Sequence, residues 1–347
     1  MALRAAATLP ASRSAWRPFR HAAPCRASSD SAHQAAPLIR RCGHRRRDRA
    51  GRSTACCSRS TARGEAATAS PAGLLSEAQV QQFQRDGFLV LEDFASAEEL
   101  AALQSRMDEL VDGFEPSDIV SVFSTVNQRQ TTDDYFYDSA ANVSFFFEEK
   151  AFDEQGRLIK PKHLAINKVG HALHDKDPVF RKFSRSSKMK ALATSLGFRR
   201  PLPVQSMYIF KQPQIGGEVV AHQDSTFLYT SPPSCIGVWL AVEDATKDNG
   251  CLWATSHHHR HGVSRRMVVN SERRIEFDKP PVEYDMAEFQ PLEMRAGSLV
   301  VLHGENVHYS SPNTSDISRH AYSMHMVEGA QGVAWAPDNW AQRGADD

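Results

Sequence analysis

Residues 217–224 read Gly-Glu-Val-Val-Ala-His-Gln-Asp. The β-branched pair that follows Gly216-Gly217 predicts a short strand over 217–221, running straight into His222-Gln223-Asp224. Side chains alternate faces in an extended segment, so His222 and Asp224 point the same way and one strand offers two ligands to one ion. His308, 84 residues beyond Asp224, offers a third from a strand brought alongside. Two imidazoles and one carboxylate on one face of an ion leave positions open for small molecules, the donor set of non-heme Fe(II) oxygenases.

Arg319 strengthens this reading. In a late hairpin, an offset of eleven residues from His308 returns its guanidinium to the metal side; His303, the rival third ligand, stands sixteen residues away. A guanidinium clamps a carboxylate bidentately. The co-substrate 2-oxoglutarate chelates iron through its keto-acid end and needs a cation at its far carboxylate. Ser310, on the same strand face as His308, adds a hydroxyl to that end of the cavity.

Outward from this stretch, short apolar or β-branched runs are expected as strands at 204–211, 237–242, 252–254, 298–302 and 320–327. Turn signals separate them: Pro232-Pro233, Asn249-Gly250 and Gly297. Regular short strands of this kind predict a sandwich or barrel. Upstream, Ser76 and Ser96 read as N-caps. The first helix ends at Gly87, before a strand over 88–91; the second carries Leu100, Leu103, Met107 and Leu110 on one stripe. Tyr135-Phe136-Tyr137 and Phe145-Phe146-Phe147 are expected as strand pieces, and 175–196 as helical up to Gly197. The fold class is therefore α+β, mainly β, with N-terminal helices before a β core.

The 347 residues carry no net charge, but the balance is uneven. Residues 1–70 hold 14 Arg, no Lys and three acids (Asp30, Asp48, Glu65), so the remainder is acidic. That remainder gives no support for nucleic-acid binding, and no apolar run reaches the roughly 18 residues of a membrane span. The Arg-, Ala- and Ser-rich segment is expected to be a chloroplast or mitochondrial transit peptide, or else a disordered basic tail. Four of the six cysteines (Cys25, Cys42, Cys56, Cys57) lie within it. Cys235 and Cys251 alone remain in the body, which suits a reducing compartment.

The ligand set with Arg319 resembles the phytanoyl-CoA dioxygenase family of Fe(II)/2-oxoglutarate oxygenases. Further stretches carry the likeness: Val80-x-x-Phe83-x-x-Asp86-Gly87-Phe88-Leu89-Val90, Ile166-Asn167-Lys168-Val169-Gly170-His171-Ala172-Leu173, Gln205-Ser206-Met207-Tyr208-Ile209-Phe210-Lys211 and Gly237-Val238-Trp239-Leu240-Ala241-Val242-Glu243-Asp244-Ala245. These are similar to the subgroup of domain-containing protein 1, over roughly residues 74–340. The resemblance implies a double-stranded β-helix (jelly-roll, cupin-like) core. It implies iron at His222, Asp224 and His308, the distal carboxylate at Ser310 and Arg319, and Lys168, Met207 and Trp239 around 2-oxoglutarate. Judged by residue type alone, Met207 and Trp239 are core residues and Lys168 a solvated lysine.

The implied activity is a dioxygenase hydroxylating a small or lipid-like substrate with molecular oxygen, releasing succinate and CO2, with ascorbate as reductant. The intact Asp224 argues against halogenation. The alternative is a jelly-roll that only binds a metal or ligand. One stretch departs from the family, whose Pro-Gly-Ser-His turn is here Ala254-Thr255-Ser256-His257, followed by His258, His259 and His261. Consecutive side chains cannot all face one ion, so this histidine run is expected to affect the substrate pocket more than the metal.

Overall fold

The computed structural model describes residues 73–116, 121–123 and 134–341. The Arg-rich segment with its four cysteines lies outside them. Two capped helices come first: α1 (Glu77–Asp86) and α2 (Ala97–Asp112). Each opens with a capping box, Ser76 with Gln79 and Ser96 with Glu99, which satisfies backbone N–H groups that a helix start leaves unpaired. Gly87, at φ 79°, closes α1 in the left-handed conformation that glycine adopts without strain. The chain then turns directly into β1 (Phe88–Leu91).

The remaining strands are β2 (Val122–Phe123), β3 (Val143–Glu148), β4 (Ile166–His171), β5 (Pro201–Ile209), β6 (Val219–His222), β7 (Thr230–Ser231), β8 (Ile236–Ala241), β9 (Leu252–Thr255), β10 (Met267–Val269), β11 (Ile275–Phe277), β12 (Phe289–Leu292), β13 (Leu299–His303), β14 (His308–Ser310), β15 (Ala321–Glu328) and β16 (Ala334–Trp335). They form an eight-stranded sheet in the order β1-β13-β8-β15-β5-β4-β3-β2 and a four-stranded sheet in the order β12-β9-β14-β6. The small pairs β10-β11 and β7-β16 stand apart. This is the jelly-roll core, a double-stranded β-helix.

The large sheet is covered on both faces, and the period of two shows it. Val238 and Leu240 of β8, Leu299 and Val301 of β13, and Tyr322, Met324 and Met326 of β15 join one core cluster with Leu103, Met107 and Val111 of α2. The intervening Trp239, Ala241, Val300, Leu302 and Ala321 join another cluster with Leu252 and Ala254 of the small sheet. Strands buried on both faces read as continuous apolar runs. Each fully buried aliphatic side chain contributes about 1.5–3 kcal/mol.

Two elements differ from the expectations. Tyr135-Phe136-Tyr137 lies in a five-residue helix, α3 (Asp134–Asp138), and is not a strand. Phe136 stacks on Trp340 with ring centroids 5.0 Å apart, while the Tyr135 hydroxyl accepts a hydrogen bond from the Phe145 N–H. The aromatics hold the strand β3 without joining it. The expected helix over 175–196 is broken into α4 (Leu173–Lys176), α5 (Pro178–Ser184) and α6 (Ser187–Ser195). Asp177 accepts from the Val179 and Phe180 N–H groups, Pro178 starts α5, and Ser186 caps α6. No helix among the described residues is long and apolar enough to cross a membrane.

Candidate active site

The space between the two sheets is a cavity of about 200 Å³, and His222, Asp224, His308, Lys168, Met207, Trp239, Ser310 and Arg319 all line it. His222 ends β6 and His308 begins β14, and the two are direct partners in the ladder. Their ring centroids are 4.3 Å apart. Asp224 is not on the strand: β6 stops at His222, and Asp224 opens a 3-10 turn over Asp224–Thr226. The turn brings its carboxylate to the imidazoles. Oδ1 lies 3.8 Å from His222 Nε2 and 3.6 Å from His308 Nε2. One ligand atom from each of the three fits within 4.8 Å of the others.

Gly237, next to the site on β8, leaves room for this carboxylate, since a Cβ there would stand 2.4 Å from Asp224 Oδ2. That Oδ2 atom is buried and makes no hydrogen bond. Burial lowers the His222 pKa to about 4, helped by His308, which keeps the imidazole neutral as a metal ligand requires. Burial raises the Asp224 carboxyl, but His325, His308 and His222 outweigh it and hold the group below its usual range. Two imidazoles and a carboxylate with an uncommitted oxygen match a ferrous site of the facial type.

Arg319 lines the same cavity and is 1 % exposed. Its Nε and Nη1 make no hydrogen bond, and the guanidinium stands over the Trp239 ring, 5.0 Å from the centroid. Burial lowers its pKa to about 10, which leaves it charged at neutral pH. A buried cation with free donors fits a carboxylate ligand. Lys168, read as a solvated lysine by residue type, is buried. Its ammonium lies 3.2 Å from the Phe123 ring centroid and 3.7 Å from Met207 Sδ, and burial pushes it well below the usual lysine range. Ser310 lines the wall, but its hydroxyl donates to the Gly250 carbonyl at 3.0 Å.

Sequence reasoning missed His325 and Lys211. His325 Nε2 lies 3.2 Å from Asp224 Oδ1, nearer than the imidazole of His222 or His308. The signal was strand parity: Ser323 and His325 share one face of β15, and both line the cavity with Arg319, just ahead of that strand. Lys211 stands two residues beyond β5, at φ 42°, where strand parity no longer applies. It is buried and donates to the carbonyl of Gly217, two residues ahead of β6, at 2.6 Å.

His303, the rival ligand, packs against Phe83 and His259 away from the other ligands. The histidine run goes to separate partners. His257 Nδ1 meets the Arg85 carbonyl, His259 Nε2 the Gln84 carbonyl, and His258 the Glu288 carboxylate. With His257 at φ 70°, these contacts build the turn that lacks the family's Pro-Gly and fasten it to the end of α1.

A sequence model of the phytanoyl-CoA dioxygenase family, PhyH, matches residues 83–321. The chain is 55% identical to phytanoyl-CoA dioxygenase 1 of Oryza sativa subsp. japonica over 273 residues, covering 79% of this chain and 96% of that protein. It is 48% identical to the phytanoyl-CoA dioxygenase domain-containing protein 1 of Bos taurus, covering 77% of this chain and 95% of that one. Among solved structures, EctD from S. alaskensis with 2-oxoglutarate and 5-hydroxyectoine aligns with a TM-score of 0.52 at 18% identity, covering 78% of this chain and 84% of that chain. The epimerase SnoN in complex with Fe3+, alpha ketoglutarate and nogalamycin RO aligns with a TM-score of 0.52 at 14% identity, covering 75% and 86%. At such identities these two establish the fold alone, whereas the family match rests on sequence. The chain is an oxidoreductase that belongs to the phytanoyl-CoA dioxygenase family.

Proposed function

We propose that this protein is a Fe(II)- and 2-oxoglutarate-dependent dioxygenase that hydroxylates a small or lipid-like substrate and releases succinate and CO2. One observation carries the reading: a buried guanidinium with free donors, Arg319, lines the same cavity as His222, Asp224 and His308. A jelly-roll that merely held a metal would have no use for such a cation.

His222, Asp224 and His308 would hold the iron, which when bound supplies the dioxygen chemistry. Arg319 takes the distal carboxylate of 2-oxoglutarate and so sets its orientation. Trp239 supports the guanidinium and excludes water from that end. Lys168 and Met207 also line the cavity, and the Lys168 amine offers hydrogen-bond donors to the dianion. Ser310 acts through its bond to Gly250, which keeps the wall beside His308 in place. The Arg-rich N-terminal 70 residues support import into a chloroplast or mitochondrion.

The test is aerobic incubation of the purified protein with Fe(II), ascorbate and 2-oxoglutarate. Slow succinate release without a second substrate is expected. Absence of succinate, even with candidate substrates added, would sink the assignment.

A further inference from the structure

Arg265 also lines the cavity, with Phe227, Met267 and Phe277, and the reading above gives it no task. It is half-buried, and its guanidinium lies over the Phe277 ring, 4.1 Å from the centroid. Among the described residues no carboxylate comes within ion-pair distance of it. Its neighbour Arg266 is different, being paired with Asp338. Asp278, whose charge reaches Arg265, accepts the Arg266 N–H at 2.7 Å. Two adjacent arginines thus have different environments: one is neutralised by the protein, and the other faces the cavity with its donors free.

The backbone that carries Arg265 is tied to the metal turn. The Gln223 carboxamide, between His222 and Asp224, accepts from the Ser264 N–H at 2.8 Å and from the Ser264 hydroxyl at 2.9 Å. It donates to the Gly262 carbonyl at 2.9 Å and to the Glu305 carbonyl at 2.7 Å. Every polar atom of this buried side chain therefore fixes the 262–264 loop relative to the ligands. The wall between is apolar: Phe227 packs against His222 with ring centroids 5.8 Å apart. The other lysines and arginines of the cavity (Lys168, Lys211, Arg319) are all buried, so Arg265 is the one half-exposed lysine or arginine among the described lining residues.

We propose that the substrate is an apolar molecule carrying a single carboxylate, which Arg265 binds while the apolar body lies along Phe277, Met267 and Phe227 toward His222. Gln223 is the positioning residue that sets the span between carboxylate and metal, and hence which carbon lies at the reaction centre. Among the described lining residues Arg265 is the one cation at this end, against the several phosphates of a coenzyme A thioester. The inference rests on the oxygenase reading for its chemistry but not for its test.

The test is calorimetric titration of the full-length protein with octanoate, octan-1-ol and octanoyl-CoA, in the presence of 2-oxoglutarate and with Zn(II) in place of iron. Octanoate is expected to bind more tightly than octan-1-ol or octanoyl-CoA. Arg265→Gln, which removes the charge, should weaken octanoate by about tenfold and leave octan-1-ol unchanged. Arg265→Lys, which keeps the charge, should retain most of the octanoate affinity, and it serves as the readout if the glutamine variant fails to fold. Octanoate lodging on Arg319 instead would be insensitive to Arg265→Gln and would overturn the proposal. So would octanoyl-CoA binding more tightly than octanoate. These affinities are read without turnover, so absence of succinate release would sink the oxygenase reading and leave this result standing.

Discussion

Gly237 and Asp224 share one small volume: the place of a Cβ at 237 is 2.4 Å from Asp224 Oδ2. Contacts that short do not occur, so Gly237→Ala must displace the carboxylate or the turn that carries it. We expect Fe(II) affinity to fall by at least about tenfold, with a stability loss of about 1–3 kcal/mol from overpacking. Titration with Fe(II) under anaerobic conditions, beside thermal melting, separates the two effects. Unchanged metal affinity would show that the carboxylate is not needed where it stands.

Arg319→Ala should separate co-substrate from metal. A charge-assisted contact contributes about 1.5–3 kcal/mol, so 2-oxoglutarate affinity should fall by about 10- to 100-fold while Fe(II) affinity holds. Because the guanidinium is buried without a hydrogen bond at Nε or Nη1, its removal should not lower the melting temperature. Equal loss of iron and 2-oxoglutarate would contradict the assigned role.

His325 meets the same oxygen of Asp224 that faces His222 and His308. Its Nε2 is 3.2 Å from Oδ1, so His325→Ala releases a carboxylate that should be aimed at the metal. Losing such an orienting partner typically costs 10- to 100-fold in metal affinity. His325→Gln, which keeps an N–H donor, should recover part of it. A glutamine variant as poor as the alanine variant would assign His325 a packing role only.

His303 predicts an acid-sensitive fold. Burial lowers its pKa to about 4, with His259 adding to the effect, and its Nδ1 accepts the Glu305 N–H at 3.2 Å, which only the unprotonated nitrogen can do. The unfolded chain takes up this proton near pH 6.5 and the folded chain near 4. The unfolded state therefore binds more protons in between, and stability falls as pH drops through that window. His303→Asn, which keeps an acceptor, should flatten the dependence. Denaturant melts at pH 7 and pH 5 check it, and parallel losses in both proteins would exclude His303 as the source.

Much of this site was legible because strand parity and ligand spacing are local. His222 and His308 meet as ladder partners, and Arg319 lines the same cavity from just ahead of β15. Asp224 reached the imidazoles by a turn, which residue alternation could not foresee. His325 was missed because an apolar strand gives no sign of which parity faces a cavity until one residue on it is placed. Tyr135-Phe136-Tyr137 misled because three aromatics carry strand propensity, while their packing on Phe146 and Trp340 favours a helical turn. The break at Asp177-Pro178 was the reverse case: the signal stood in the sequence, and the helical periodicity on either side concealed it.

The two imidazoles are not held alike. His308 sits on β14, hydrogen-bonded to β9 on one side and β6 on the other, whereas β6 forms the rim of its sheet and is bonded along one edge only. Rim strands fray at lower free energy than interior ones. Metal exchange should therefore begin with release of His222 as β6 peels away. A bound ion in turn would staple that rim, and amide hydrogen exchange in 219–222 would slow on metal addition more than in any other strand.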